Sequence, residues 1–249
     1  MNSFLNKVAI VTGGNSGIGF ATAAALAAAG ARVLIVGRRQ AAVDEAVAAL
    51  GKHVIGLVGD VADPMTHDRV AETVRDRFGG ADIYIANAGV NVIQPSEAVT
   101  QEDYDAQFAI NARGVFFGVQ KIVPLMREGG SIVLTSSIAT RKILEGHAVY
   151  AGAKAAMEAF ARSWALELKA RRIRVNVVSP GPVDTPILGK LGVPDDARDG
   201  FEAHLANVIP MGRLGQADEL ARSILYLASD DAGFVTGANL LVDGGIALT

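Results

Sequence analysis

The sequence predicts an α/β fold: a doubly wound, seven-stranded parallel sheet flanked by helices on both faces. Seven short apolar runs rich in β-branched residues recur along the chain, at Val8–Val11, Val33–Val36, Val54–Val58, Ile83–Ala86, Ile132–Leu134, Val175–Val178 and Leu240–Val242. Segments with helical periodicity lie between them: Ala21–Ala29 is nearly all Ala and Leu, and Gln40–Leu50 and Thr66–Phe78 carry apolar stripes opposite charged ones. Strands that alternate with helices argue for a parallel sheet covered on both sides. No repeat, low-complexity stretch or long linker divides the chain, so residues 1–249 are expected to form one domain.

Composition narrows the function. Half of the 249 residues are hydrophobic, enough for a large core, and the net charge is -3. The densest basic group, Arg171, Arg172 and Arg174, suits a helix end better than a nucleic-acid surface. The chain has no cysteine, which excludes disulfides and thiolate metal sites. His53, His67, His147 and His204 are scattered without ligand spacing, so no metal site is expected. No apolar run approaches the ~20 residues of a membrane span, and no signal-peptide layout precedes the first strand. A cytoplasmic protein with neither membrane nor nucleic-acid partner is expected.

The first strand runs into Thr12-Gly13-Gly14-Asn15-Ser16-Gly17-Ile18-Gly19, which opens a helix. Glycines there let the backbone turn tightly, approach a phosphate and pack helix on strand. The helix start offers free N–H groups and a partial positive charge to a pyrophosphate. The spacing is G-x-x-x-G-x-G, not the common G-x-G-x-x-G. A glycine-rich turn with no ligand is the bland alternative; the strand–turn–helix setting favours a dinucleotide. Residues of about 1–130 would then form the dinucleotide-binding half and about 131–249 the catalytic and substrate half. The second strand ends Val36-Gly37-Arg38-Arg39. Many NAD sites place an acid there for the ribose hydroxyls. Glycine followed by two guanidiniums suits a 2′-phosphate, hence NADP(H) with NAD as the alternative. The bland reading is two solvated arginines at a helix start.

Tyr150 and Lys154 stand four apart, one turn on the same helical face. A phenol titrates near ~10 unless a neighbouring ammonium lowers its pKa, and such a tyrosine can act as an acid or base near neutrality. Ser137 follows the strand-like run that ends at Thr135, where a hydroxyl could hold the same substrate oxygen. Tyr–Lys pairs at this spacing are usually a core ring and a solvated amine. The small residues Ala151, Gly152, Ala153, Ala155 and Ala156 instead imply a surface pressed close against this helix.

With these residues in order, the chain resembles the short-chain dehydrogenase/reductase family over nearly all its length. The motifs are Thr12-Gly13…Gly17-Ile18-Gly19, Asp60-Val61, Asn87-Ala88-Gly89, Asn111, Ser137, Tyr150-xxx-Lys154 and Pro180-Gly181 with Thr185. The resemblance implies a Rossmann-like fold and residue roles. Gly13, Asn15, Ser16, Gly17, Ile18 and Gly19 would form the phosphate turn. Arg38 and Arg39 would take the 2′-phosphate, with Arg38 over the adenine side and Arg39 nearer solvent. Asp60 and Val61 would contact adenine; Asn87, Ala88 and Gly89 would wall the ribose and brace the sheet. Pro180 and Gly181 would lead into Val183 and Thr185, which would meet the carboxamide. Asn111 would hold a relay water, Ser137 would orient the carbonyl, Tyr150 would donate the proton, and Lys154 would bind the nicotinamide ribose. Two departures stand out: the doubled Asn of the fourth strand is Ala86-Asn87, and a basic residue of some NADP-binding members is Ser16.

The function expected is therefore NADPH-dependent reduction of a ketone or aldehyde, with Tyr150 as general acid. Its rivals are an NAD-dependent alcohol, sugar or hydroxysteroid dehydrogenase, and a non-catalytic nucleotide-binding redox sensor. Ala139, Thr140, His147 and the loop Ile187–Val193 are expected near the substrate carbonyl. The irregular, proline-bearing stretch Gly181–Gly200 has the character of a lid. A homotetramer is expected from the helix Tyr150 to about Arg171, with Phe160, Trp164 and Leu168, and from Phe234–Gly245, which resembles family segments that pack across subunits.

Overall fold

The computed structural model describes residues 4–186 and 198–249, without the side chains of Arg198, Asp199 and Glu202. In chain order the strands are β1 (Val8–Thr12), β2 (Arg32–Gly37), β3 (Val54–Val58), β4 (Ala81–Ala86), β5 (Met126–Thr135), β6 (Arg174–Pro180), β7 (Val183–Asp184), β8 (Gly215–Gln216) and β9 (Asn239–Val242). The helices are α1 (Gly17–Ala28), α2 (Gln40–Leu50), α3 (Pro64–Phe78), α4 (Gln101–Phe108), α5 (Gly114–Ile122), α6 (Ala148–Glu167), α7 (Arg198–Val208) and α8 (Ala217–Ala228).

Seven of the strands form one sheet in the order β3-β2-β1-β4-β5-β6-β9, and all six pairings are parallel. Each contains one of the seven apolar runs. Strands buried on both faces need apolar residues on both, which is why the runs are continuous rather than alternating. Ile10, Leu34, Tyr84, Leu134 and Val175 face α3, α5 and α6, where Val74, Val119 and Met157 meet them. Val11, Ile35, Ile85, Val133 and Val178 face α1, α2 and α8, where Leu26, Val43 and Ile224 meet them. Each such aliphatic side chain contributes about 1.5–3 kcal/mol when fully buried.

Local chemistry sets the helix limits. Asp63 caps α3 by accepting from the Met65 N–H at 3.0 Å, Pro64 occupies the first turn, and Gly79 closes the helix in the left-handed region. Two limits differ from expectation. α1 starts at Gly17, inside the glycine turn, where a φ of 52° gives a left-handed entry that glycine takes without strain. α6 starts two residues before Tyr150, so the phenol stands in the first turn rather than at its mouth. A π turn, Ala109–Arg113, joins α4 to α5 and rotates Asn111 inward to complete burial. Part of the expected lid is ordered: β7 pairs with β8, and α7 begins at Arg198. Pro194 and the loop 187–193 lie outside the described residues.

Phe160, Trp164 and Leu168 were expected to form an outward patch. They pack inward instead. Trp164 is buried, Phe160 and Leu168 lean on the same core, and Phe116 of α5 meets the Phe160 ring at 5.2 Å and the Trp164 ring at 5.7 Å. The aromatic side chains fill the wedge between α5 and α6, which the small residues of α6 cannot fill. The face that α6 turns outward carries Ala148, Gly152, Ala155, Ala159, Ser163 and Leu166.

The chain winds outward from β1 through β2 to β3, then returns to β4 on the other side of β1. At such a switch point the flanking connections diverge and leave a crevice beyond the carboxyl ends of the strands.

Candidate active site

That crevice holds a cleft of 590 Å³ lined from the ends of β1, β4, β5 and β6. A second hollow of 380 Å³ reaches Arg39 and Asp60. The two share Gly13, Ser16, Arg38, Ala88, Gly89 and Val90, so they form one continuous trough.

At its nucleotide end the trough is built mainly from backbone. The Thr12 hydroxyl accepts from the N–H groups of Asn87 at 3.0 Å and Ala88 at 3.1 Å, and the Asn87 amide donates to the Thr12 carbonyl at 3.1 Å. These bonds pin the end of β4 to the glycine turn. Gly19 packs so closely that a Cβ there would lie 2.2 Å from the Gly13 carbonyl oxygen. Ser16 has the extended backbone of a helix cap, but its hydroxyl caps no N–H of α1. Those N–H groups face the trough free of a side-chain partner, the arrangement that receives an anion. Beside them the Asn15 side chain covers Gly37: a Cβ on Gly37 would lie 2.4 Å from Asn15 Oδ1. Arg38 and Arg39 are exposed, and Arg38 reaches across to Asp60 at 3.8 Å. An exposed pair at that distance contributes little to stability, so the guanidinium is available to a stronger anion.

At the other end three polar side chains converge. Ser137 follows β5, its hydroxyl accepts from the Ala139 N–H at 3.2 Å, and it lines the cleft together with the Tyr150 phenol. Lys154 is buried, donates to the Thr135 carbonyl at 2.7 Å, and lies 5.9 Å from the centre of the Tyr150 ring. Burial pulls the Lys154 ammonium down to about 8, and the charge of Glu158 partly opposes that fall. The expectation that the ammonium would lower the phenol's pKa is corrected here. Burial pushes Tyr150 above its ordinary value, and the nearby Ser137 hydroxyl works against that rise without cancelling it. A desolvated phenolate is costly, and Lys154 is not among the groups that offset the cost. At neutral pH the phenol therefore keeps its proton.

Asn111 is buried behind these groups. Its Oδ1 accepts from the Val90 N–H at 3.0 Å and its Nδ2 donates to the Val90 carbonyl at 2.9 Å. A Cβ on Gly89 would stand 3.0 Å from Asn111 Oδ1 and 3.2 Å from Lys154 Nζ, so glycine is what lets β4 end this close to both.

The family profile described as Enoyl-(Acyl carrier protein) reductase matches residues 13–247. Oxidoreductase asL5 of Sarocladium schorii is 39% identical over 247 residues, covering 97% of this chain and 96% of that protein. Among solved structures, levodione reductase superposes with a TM-score of 0.93 at 33% identity, over 98% of this chain and 99% of that one. The 3-ketoacyl-(acyl-carrier-protein) reductase of Brucella melitensis, solved with NADH, superposes with a TM-score of 0.90 at 30% identity, over 98% and 99% of the two chains.

The chain belongs to the short-chain dehydrogenase/reductase family.

As a short-chain dehydrogenase/reductase the protein is an oxidoreductase, and structures of this family bind a nicotinamide cofactor, as the NADH complex does. The residues here fit such a group: uncapped N–H groups face the trough, and bare glycines keep Cβ atoms off its floor. Of the residues expected at the site, Gly13, Asn15, Ser16, Gly17, Ile18, Arg38, Arg39, Asp60, Val61, Asn87, Ala88, Gly89, Ser137, Tyr150, Lys154, Pro180, Gly181, Val183 and Thr185 line the trough. Gly19 and Asn111 stand behind its wall. Ala139 and His147 line the substrate end as expected, but Thr140 does not; its hydroxyl turns away to donate to Glu158 at 2.7 Å. Sequence reasoning missed Asn91, Val92 and Ile93 after β4, Phe201 and Leu205 of α7, and Ile246 near the end of the chain. Nothing in their residue types marks them as lining a site. It also missed Glu158, whose place four residues after Lys154 was visible in the sequence. No helix among the described residues is long and apolar enough to cross a membrane.

Proposed function

We propose that this protein reduces a ketone or aldehyde to an alcohol at the expense of NADPH, with Tyr150 as the general acid. The observation that carries the reading is the phenol. It lines the cleft with Ser137, and burial raises its pKa so that it stays protonated. A group that keeps its proton at neutrality suits donation to a carbonyl oxygen. The bound nicotinamide supplies the hydride. The chain's own residues do the rest. Ser137 holds the substrate oxygen beside the phenol, and Tyr150 transfers its proton to that oxygen. Lys154 binds the ribose hydroxyls and supports the phenol as its proton leaves. Asn111 braces the Val90 backbone, and the π turn around it offers a place for a water that returns a proton through Lys154. Gly13 to Ile18 would hold the pyrophosphate, Asp60 and Val61 the adenine, Asn87 to Gly89 the adenosine ribose, and Val183 and Thr185 the carboxamide.

The preference for NADP(H) rests on Arg38, with Arg39 beside it, and on the absence of an acid at Gly37. The second reading, an NAD-dependent dehydrogenase working toward oxidation, draws support from the NADH complex of the Brucella protein and from Asp60, which takes up part of the Arg38 charge. A panel of ketones and aldehydes, each offered NADPH and NADH and followed at the cofactor's absorbance, tests both. Faster turnover with NADPH supports the first reading, and equal or better efficiency with NADH replaces it. We also propose a cytoplasmic homotetramer of one-domain subunits. The exposed small-residue face of α6, the half-exposed Phe117 beside it, and the fully exposed Phe234 support two contact surfaces. A monomer mass by light scattering at micromolar concentration would remove that part.

A further inference from the structure

Glu158 lies one helical turn beyond Lys154 on α6, buried to 8% exposure. A carboxylate in that position destabilises the fold unless hydrogen bonds meet it. Two hydroxyls do so. Ser136 Oγ and Thr140 Oγ1 each donate to Glu158 Oε1 at 2.7 Å. Ser136 and Thr140 bracket Ser137, and Thr140 Oγ1 also contacts the Ser137 carbonyl at 3.0 Å. One oxygen on α6 thus grips both ends of the short segment that presents Ser137. The same helix presents Tyr150 and Lys154.

We propose that Glu158 is a positioning residue of this site: its carboxylate fixes the Ser137 segment to α6, so that Ser137 and Tyr150 meet one substrate oxygen, and it places a negative charge behind Lys154. The proposal rests on the oxidoreductase reading above. The charge is needed because the ammonium has little else to stabilise it. From β5 it meets the Thr135 carbonyl, and Gly89 stands between it and the neutral Asn111 side chain. On its own helix it meets the Tyr150 phenol, held protonated, and Glu158. The hydroxyls of Ser136 and Thr140 are neutral. Among these groups Glu158 is the one carboxylic side chain.

The two roles separate by substitution. Glu158→Gln keeps an oxygen for both hydroxyls and removes the charge. Ser136→Ala with Thr140→Val removes the hydroxyls and keeps the charge. The negative charge favours the ammonium, so without it Lys154 gives up its proton at lower pH. Two measurements follow. The first is Lys154 titrated by NMR in protein labelled with ¹³C at the lysine Cε, its signal identified by its loss in Lys154→Met. The midpoint should stand at about 8 in the wild type. It should fall by about half a unit or more in Glu158→Gln. The second is the pH dependence of kcat for reduction. In Glu158→Gln the alkaline limb should move the same way with KM little changed. In the double variant kcat should fall about tenfold or more, as misplaced reacting groups cause, with the limb unmoved. A purely structural Glu158 would lower the melting temperature of both variants but leave the midpoint, the limb and the relative kcat alone, and that result would overturn the proposal. If either variant does not fold, the other decides its own half, and an unshifted result there rejects it. A wild type inactive on every carbonyl and alcohol offered would defeat the oxidoreductase reading, while the NMR midpoint would still judge the placement of charge by Glu158.

Discussion

The two ends of the trough are made differently. The nucleotide end is mostly backbone: a glycine turn, the start of α1 and the end of β4, joined by the bonds between Thr12 and Asn87. The substrate end is mostly side chains, from Val92, Ile93, Leu144, His147, Phe201, Leu205 and Ile246, on segments far apart in sequence. Between them stand Ser137, Tyr150 and Lys154. A wall made of backbone dictates residue type, since one Cβ too many closes it. An apolar wall asks only for a suitable volume, and many side chains supply that. The nucleotide end should therefore tolerate almost no change, and the substrate end should tolerate much.

The largest effect is expected between the two ends. Tyr150→Phe removes the proton and keeps the ring, so kcat should fall by ~10²–10⁴ while nucleotide affinity, measured by fluorescence titration, stays near wild type. Retention of more than about a tenth of the activity, far above that range, would remove Tyr150 as the acid.

Next comes a change in the backbone wall. Gly19→Ala sets a Cβ against the Gly13 carbonyl, which is backbone, and against the Asn87 amide. It should cost about 1–3 kcal/mol or more in stability and loosen nucleotide binding along with it. Calorimetric melting with and without nucleotide tests this. A Gly19→Ala variant with an unchanged melting temperature and unchanged affinity would break the contrast between the two ends.

A smaller effect is expected at the rim. Arg38→Ala should raise the Michaelis constant for NADPH by about tenfold and that for NADH much less, because one charge-assisted hydrogen bond is worth roughly 1.5–3 kcal/mol before solvent weakens it. Gly37→Asp should move the preference toward NADH. Asn15 Oδ1 occupies the space a side chain would need there, so the switch should be fuller in Gly37→Asp with Asn15→Ala than in Gly37→Asp alone. Saturation curves for both cofactors on the wild type and these three variants decide the matter. Equal losses for the two cofactors in Arg38→Ala would return Arg38 to the role of a solvated residue.

The smallest effect belongs to the substrate end. Phe201→Ala should leave kcat within about twofold and change KM by no more than about tenfold, by an amount that differs between bulky and small carbonyls. A collapse of kcat with every substrate would show that α7 does more than line the cleft.

The same contrast explains what was legible in the sequence. All seven strands of the large sheet were readable because burial on both faces leaves continuous β-branched runs. The residues of the glycine turn, Asn87 to Gly89, Ser137, Tyr150 and Lys154 were readable because close approach and hydrogen bonding restrict them to a few residue types. Phe201, Leu205 and Ile246 were not, since an apolar residue looks the same whether it lines a cleft or a core. Phe160 and Trp164 were read as an outward patch for a related reason. A helix made of small residues leaves a wedge beside its neighbour, and the sequence does not show which side the large rings fill. The direction of the phenol's pKa shift was misjudged because spacing reveals the neighbouring amine but not how far burial opposes it.

The trough draws its wall from Gly13 at one extreme and Ile246 at the other. A ligand lying along it touches nearly the full span of the chain and is lost whenever the sheet opens. Binding at a hundred times the dissociation constant adds about 2.7 kcal/mol to the free energy of unfolding. Proteolysis that proceeds through the opened chain then slows by about two powers of ten when opening and closing are fast relative to cleavage. The lifetime of this protein would then follow the supply of nucleotide: a shortage that slows turnover would also expose the chain to degradation.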